Sequence, residues 1–484
     1  MLSRLLVLLS RLLRSVLRAL SGLLQRANVI ERSRLRATVD LAWPRIVTGL
    51  ARMSKQTADV AMVGVVLGPS AIAGLAFAYA YWQLGDRLSL GLSGGSISLV
   101  SQHYGADEIE LANRAITQSY LLATALSIPL AVLFYWQADL LIGLMGGDAA
   151  AVDYGGTYLM VVAPAIVFEF YNKVASRIFA GVGDTFTPMV IRGGGAVINI
   201  VLNAVLIFGL GMGVVGAALG TAVSTAIITG GLLWGLVGKG YPTRDPLPVR
   251  LSFSGPLVDR GLLKPLVTVS APLIFQQLAR AVVAFPLLAI AAVFGSVAVA
   301  GYEIARRIRD LINSLSWGFS IASSSLVGRH IGGGDEELAA AYGSEIIRFS
   351  VLSYAVAAVF VVAFARPIAG VFVTEPEVVD LATTFVRVTA VATIGLGIDE
   401  AATGALRGAG DTRWPFYAAL VGLYGFALPI AYVGVVTPLG VTALYLSLLA
   451  EMFVPAAITL YRYDSGVWRD VSRSLRERSE AVSE

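Results

Sequence analysis

Long apolar stretches separated by short polar turns dominate the chain from residue 39 onward. "YLLATALSIPLAVLFYW" (120–136) and "FSVLSYAVAAVFVVAFA" (349–365) show no period-two alternation. They approach or reach the roughly 20 residues a helix needs to cross a bilayer. The pattern predicts twelve spans: 39–67, 71–103, 112–136, 150–178, 187–210, 214–238, 262–294, 298–330, 339–365, 377–406, 414–435 and 439–462. The longest polar stretch, "GKGYPTRDPLPVRLSFSGPLVDRG" (238–261), follows the sixth span and reads as a linker. The chain thus divides into a segment over 1–36, a first lobe over 37–238, the linker over 239–261, a second lobe over 262–463 and a tail over 464–484.

Composition agrees with lipid as the solvent. Of 484 residues, 56% are hydrophobic and 14% charged, against about 25% charged in soluble domains. Only helices or closed barrels satisfy their own backbone in lipid, and the unalternating runs select helix. The expected fold class is an all-α integral membrane protein, with twelve transmembrane helices in two pseudo-symmetric six-helix lobes. The absence of cysteine excludes disulfides and thiolate metal sites.

Charge placement sets the expected orientation. Residues 1–36 put Arg4, Arg11, Arg14 and Arg18 on one helical face among leucines, which reads as an amphipathic helix on an anionic membrane surface. The linker carries Lys239, Arg244, Arg250 and Arg260, and the tail Arg462, Arg469, Arg473, Arg476 and Arg478. Basic loops stay in the cytoplasm, so the linker and both termini are expected there, in a multi-pass protein of the cell membrane. Asp139, Asp148 and Asp153 lie in a loop on the opposite side.

The two lobes repeat. "AGVGDTFTP" (180–188) returns as "RGAGDTRWP" (407–415), 227 positions later. The same offset relates "LVSQHYGADEIELA" (99–112) to "LVGRHIGGGDEELA" (326–339), "GPSAIAG" (68–74) to "GSVAVAG" (295–301), and "GVVGAAL" (213–219) to "GVTALYL" (440–446). "AWPRIVTGLAR" (42–52) lies over "SAPLIFQQLAR" (270–280) with a one-residue slip. A duplicated six-helix unit explains all of these. The repeated turn then reads as a structural corner or hinge, with Gly181 and Gly183 ending one helix and Thr187 capping the next before Pro188. His103 and His330 are repeat partners and read as structural. Parallel repeats of this kind are a transporter architecture, with substrate bound between the halves.

The positions that differ between the copies carry the candidate chemistry. Asn199 and Asn203 face Phe426 and Ile430 in the second copy, Thr221 faces Leu448, and Asp59 faces Pro286 or Leu287. Asn199 and Asn203 share a helical face, and Thr221 lies on the partner helix of the same hairpin. A carboxylate at membrane depth is a functional-site candidate by default. With two amides and a hydroxyl it suits Na⁺, and Asp59 alone could instead hold a proton. The same amides and hydroxyl could also bond across helices for packing. Among the other charges, Lys55 is spaced to pair with Asp59, and Glu303–Arg307 and Arg306–Asp310 have pairing distances. Asp40 reads as a helix cap. Arg52, Lys55, Glu169, Arg280, Asp399 and Glu400 are candidates for a substrate cavity, where acids would attract cations.

The chain resembles the multidrug and toxic compound extrusion (MATE) family over nearly all of residues 37–463. The resemblance rests on "LAWP", "TADVAMVG", the "LVSQHYGA" and "LVGRHIGG" corners, "INIVLN" and "GALRGAGDTRWP", and it favours the prokaryotic DinF-like branch. It implies a secondary active exporter of organic cations or amphiphilic drugs, exchanging them for Na⁺ or H⁺ by alternating access. It needs no cofactor beyond the coupling ion, acts as a monomer in the bilayer and has no nucleic-acid partner. It also implies that Asp59, Asn199, Asn203 and Thr221 form the coupling site, and a Na⁺ site if sodium is the ion. Arg280 stands where related members have a glutamate, so a second-lobe ion site does not carry over. The rival reading is a lipid-linked oligosaccharide flippase, which would need basic groups such as Arg52, Lys55 and Arg280. An intramembrane enzyme is not expected, since the usual hydrolase and metalloprotease motifs are missing.

Overall fold

The computed structural model describes residues 31–67, 69–145, 149–242, 244–253, 256–372 and 375–483. The amphipathic reading of Arg4 to Arg18 lies outside them. The first lobe contains α1 (Arg32–Leu67), α2 (Pro69–Gly105), α3 (Ile109–Trp136), the short α4 (Ala138–Gly143), α5 (Ala149–Val162), α6 (Ala165–Gly181), α7 (Phe186–Ala204) and α8 (Gly213–Leu236). The second contains α9 (Arg260–Val282), α10 (Ala284–Val293), α11 (Ser296–Gly332), α12 (Glu336–Ala363), the short α13 (Ala365–Phe372), α14 (Pro376–Gly408), α15 (Arg413–Leu420), α16 (Leu428–Val436) and α17 (Thr442–Asp464). A tail helix, α18 (Trp468–Ser483), follows.

Among the described residues, eight helical segments are long and apolar enough to cross a membrane, and nine if the bent pair α5–α6 is one span. That pair turns by 56° where a continuous span over 150–178 was expected. Pro164 stands at the break as the cap of α6, and proline cannot donate the backbone bond a straight helix needs. The remaining long helices, α1, α2 and α11, have 36, 37 and 37 residues. They carry charged residues in mid-helix, among them Arg52, Asp86, Arg87, Arg307 and Asp310, which face the space between the lobes.

The duplication is visible in the backbone. The short helices α4 and α13 start at equivalent places. Positive φ recurs in pairs, at Gly183 (95°) and Gly410 (82°) and at Gly213 and Gly440 (both 53°). Asp107 (62°) and Gly334 (79°) are a third pair, Asp107 being the only non-glycine residue with positive φ among the described residues. In the repeated corner, Thr185 and Thr412 each donate to the first helix of their own lobe, at the carbonyls of Asp40 (3.4 Å) and Val269 (2.8 Å). Thr187 is no cap: the N-cap position is Thr185, and the side chain that holds the first turn is that of Asp184, whose carboxylate accepts from the Thr187 amide at 2.9 Å and hydroxyl at 2.5 Å. Asp40 is no cap either. It sits inside α1, within 3.9 Å of Arg36.

Each lobe has its own core, built around Phe170 and Phe179 in the first and Phe319 and Phe349 in the second. The first helix of each lobe leans on the other. Leu35, Leu41 and Trp43 of α1 pack in the second core, and Leu266 and Val269 of α9 in the first. Hydrogen bonds between the lobes run from the middle to the end that bears the linker. Arg87 donates to Gln277 (3.3 Å), Ser270 to the Leu92 carbonyl (3.1 Å) and Gln102 to the Gly408 carbonyl (2.7 Å). At the corners α2 and α11 touch: a Cβ on Gly105 would fall 1.9 Å from the Arg329 carbonyl, and one on Gly332 1.9 Å from that of Gln102. The lobes are therefore closed together at the linker end.

The tail and linker are packed in place. Trp468 is buried and stacks on Tyr463 at 5.8 Å. Arg114 of α3 binds Asp259, whose carboxylate also caps α9.

Candidate functional site

Asp59 lies two turns before the end of α1 and is 2% exposed. Its Oδ1 accepts from Asn203 Nδ2 at 2.7 Å, and its Oδ2 accepts from the Tyr79 hydroxyl at 3.3 Å. One turn away, Asn199 Nδ2 donates to Thr221 Oγ1 (3.3 Å) and Ser224 Oγ (3.2 Å). The four residues singled out by their absence from the second copy thus form one buried cluster, built by α1, α7 and α8. Close packing fixes it: a Cβ on Gly220 would fall 1.8 Å from Asn203 Oδ1. Both asparagine amide nitrogens donate, while both amide oxygens are left over. Asn199 Oδ1 and Asn203 Oδ1 are buried and accept no hydrogen bond. Buried polar atoms normally find partners, so an oxygen-rich niche with two idle amide oxygens beside a carboxylate can take a cation.

Several expected pairings do not form. Lys55 makes no ion pair with Asp59 among the described residues, whose oxygens are taken by Asn203 and Tyr79. Glu303 pairs with Arg306 (2.8 Å) in place of Arg307, and Arg309, rather than Arg306, binds Asp310 (3.4 Å). Arg309 also reaches Glu451 across to α17 at 2.9 Å. The helical spacing allows both sets, and the pairs that form are those one turn apart or adjacent on α11.

A cavity of about 320 Å³ separates the lobes at mid-depth. It takes in Arg52, Arg280 and Glu400 from the sequence candidates, together with the unanticipated Asp86, Lys173 and Trp317. Asp86 is the centre of the first-lobe wall, bound by Arg52 (3.0 Å) and Lys173 (2.6 Å). Glu169 stands behind it, within 3.2 Å of Lys173 and 3.7 Å of Arg192. On the second-lobe wall Arg280 spans Asp399 and Glu400, both at 2.8 Å, while Thr403 and Thr459 donate to Asp399. The acids expected to attract cations are held by basic side chains instead. Asp86 and Lys173 have no counterpart in a sequence motif. Tyr79 and Tyr158, with rings 5.6 Å apart beside Asp59, read in sequence as ordinary apolar positions.

A two-lobed, internally duplicated helical bundle with a polar cavity between its halves defines a membrane transporter. The MatE family model matches residues 44–205 and 272–433. The chain belongs to the MatE family, and it is a transporter, not an enzyme. It is 24% identical over 447 residues to the probable multidrug resistance protein NorM of Thermotoga maritima, covering 91% of this chain and 94% of that one. It is 26% identical over 410 residues to the multidrug resistance protein PmpM of Pseudomonas aeruginosa, covering 83% and 84%. The crystal structure of MATE in the bent conformation superposes with a TM-score of 0.83 at 23% identity, covering 92% of this chain and 97% of that one.

Proposed function

We propose that this chain is a secondary active multidrug exporter of amphiphilic small molecules, driven by inward movement of Na⁺ or H⁺ through the Asp59 cluster. The single observation that carries the coupling site is the pair of unpartnered buried oxygens, Asn199 Oδ1 and Asn203 Oδ1, beside the Asp59 carboxylate. A Na⁺ ion would take the carboxylate, the amide oxygens and Thr221 Oγ1 as oxygen ligands. A proton would sit on Asp59 itself. The multidrug resistance relatives support the efflux reading. The protein works as a monomer in the cell membrane with linker and termini in the cytoplasm.

Coupling follows from placement. Asp59 and the cavity residue Arg52 share α1, two turns apart, roughly 10 Å along the axis. Tyr79 and the cavity residue Gln83 share α2, one turn apart. Ion binding at Asp59 therefore changes the contacts of the α1–α2 hairpin that also walls the cavity, and it biases the lobes between two arrangements. Each ligand shifts the equilibrium by its difference in affinity for the two states. Pro44 within α1, whose carbonyl is bonded by Thr48 Oγ1 at 2.8 Å, is the expected bending point.

The test uses the purified full chain in proteoliposomes, with a Na⁺ gradient and a pH gradient imposed separately on a fluorescent amphiphile. One gradient should drive transport against the probe's own gradient. Failure of both would reject secondary active antiport.

A further inference from the structure

We propose that the central cavity selects amphiphilic organic anions, molecules with a carboxylate, sulfonate or phosphate head on an apolar body. The proposal deepens the export reading above and rests on it.

Among the described residues, nine basic and three acidic side chains line the cavity. Every one of the three acids is already within ion-pair distance of a basic group: Asp86 with Arg52 and Lys173, Glu400 with Arg280, and Asp310 with Arg309. A cationic substrate would have to displace one of these partners before meeting a carboxylate. Five of the nine cations, by contrast, have no carboxylate partner among the described residues: Arg45, Arg87, Arg177, Arg307 and Arg407. Arg177 is 7% exposed and its Nη1 donates to nothing, and Nη1 of Arg45 is likewise buried without an acceptor. Arg407, equally buried, is held only by Ser320 and Ser324.

Uncompensated charges at membrane depth are costly and are retained where they serve function. Guanidinium forks suit carboxylate, sulfonate and phosphate heads. Arg45, Arg177 and Arg407 come from α1, α6 and α14, so the cluster is assembled from both lobes and an anion among them would bridge the halves. Trp317 offers an apolar face for the body of the ligand, beside Arg52 at 5.9 Å. The cavity volume of about 320 Å³ lies at the small end of sites for drug-sized molecules.

Export of an anion against entry of a cation moves positive charge inward on both counts. Such a cycle is accelerated by a negative interior, whereas one-for-one exchange of monovalent cations is electrically neutral. The coupling site and the cavity can therefore be tested separately.

Binding is measured first, without any gradient, on the purified full chain by fluorescence anisotropy with carboxyfluorescein as the anion and ethidium as the cation. Carboxyfluorescein should bind roughly tenfold or more tightly than ethidium, and Arg177→Gln and Arg45→Gln should each weaken it roughly tenfold, as loss of one charged hydrogen bond implies. The partly exposed Arg45 serves if Arg177→Gln fails to fold. Equal or tighter ethidium binding, absence of carboxyfluorescein binding, or carboxyfluorescein binding indifferent to a folded arginine variant overturns the proposal. In proteoliposomes, carboxyfluorescein transport should quicken with a negative potential on the side the coupling ion enters. Transfer of a fluorescent anionic phospholipid with no movement of carboxyfluorescein would assign the cavity to a lipid head and overturn it as well. Tight carboxyfluorescein binding with transport indifferent to both ion gradients would sink the antiport reading and leave the anion site standing.

Discussion

Asn203 gives its amide proton to Asp59 across 2.7 Å, joining residues 144 positions apart in the chain. The bond ties the end of α1 to α7, and it leaves the Asn203 oxygen turned away from any donor. Much of the coupling account follows from this relationship, because an amide that spends its donor on a carboxylate has its acceptor to offer to an ion.

Gly220→Ala should disturb that bond without touching a charge. The new methyl would fall 1.8 Å from Asn203 Oδ1, so the amide must turn away. Loss of one hydrogen bond to a charged group is worth about 1.5–3 kcal/mol. The concentration of driving ion that gives half-maximal transport should rise roughly tenfold, read as a titration in proteoliposomes. An unchanged titration would mean the amide plays no part in ion binding.

Gly332→Ala should loosen the closed linker end. Its Cβ would meet the Gln102 carbonyl at 1.9 Å, and overpacking of this kind costs about 1–3 kcal/mol. Because the chain has no cysteine, Ser325→Cys is a clean reporter at a position that is fully buried between the lobes and bonded to the Ala180 carbonyl. Its labelling by a soluble maleimide should quicken roughly tenfold in the glycine variant, from the same energy. No change would show that these corners do not set the closed state.

Asp411→Asn tests the repeated corner as structure. Asp411 binds Arg462 at 2.7 Å with both side chains largely buried, and Arg462 also lies over Trp414 at 5.1 Å. Removing the charge should cost about 2–3 kcal/mol, seen as a lower melting temperature. The ion dependence of transport should stay the same. A shifted ion dependence at normal stability would give the corner a direct role in coupling.

The fold was largely legible because duplication and apolar run length are both local records. Spans, linker and corners could be placed by comparing each stretch with its copy. The Asp59 cluster was legible for a related reason: Asn199, Asn203 and Thr221 stand out only where Phe426, Ile430 and Leu448 replace them. What could not be read was which charges meet. Lys55, Glu303 and Arg306 each had a partner at helical spacing; Asn203 of α7 and Tyr79 of α2 take the Asp59 oxygens, Glu303 and Arg306 pair with each other one turn apart on the same helix, and Arg309 is drawn to Glu451 of α17 as well as to Asp310. Asp86 and Lys173 were missed since neither belongs to a motif and their 2.6 Å contact joins α2 to α6. The bend at Pro164 was hidden inside an unbroken apolar run.

Asp59→Asn is the most direct measurement of the central claim. Proteoliposomes of wild-type and variant protein are loaded with one fluorescent amphiphile and given a Na⁺ gradient or a pH gradient, with folding checked by gel filtration before reconstitution. The wild type should move the probe under one of the two gradients, and the variant, equally folded, under neither. Transport by the folded Asp59→Asn protein at the wild-type rate under the same gradient would contradict it.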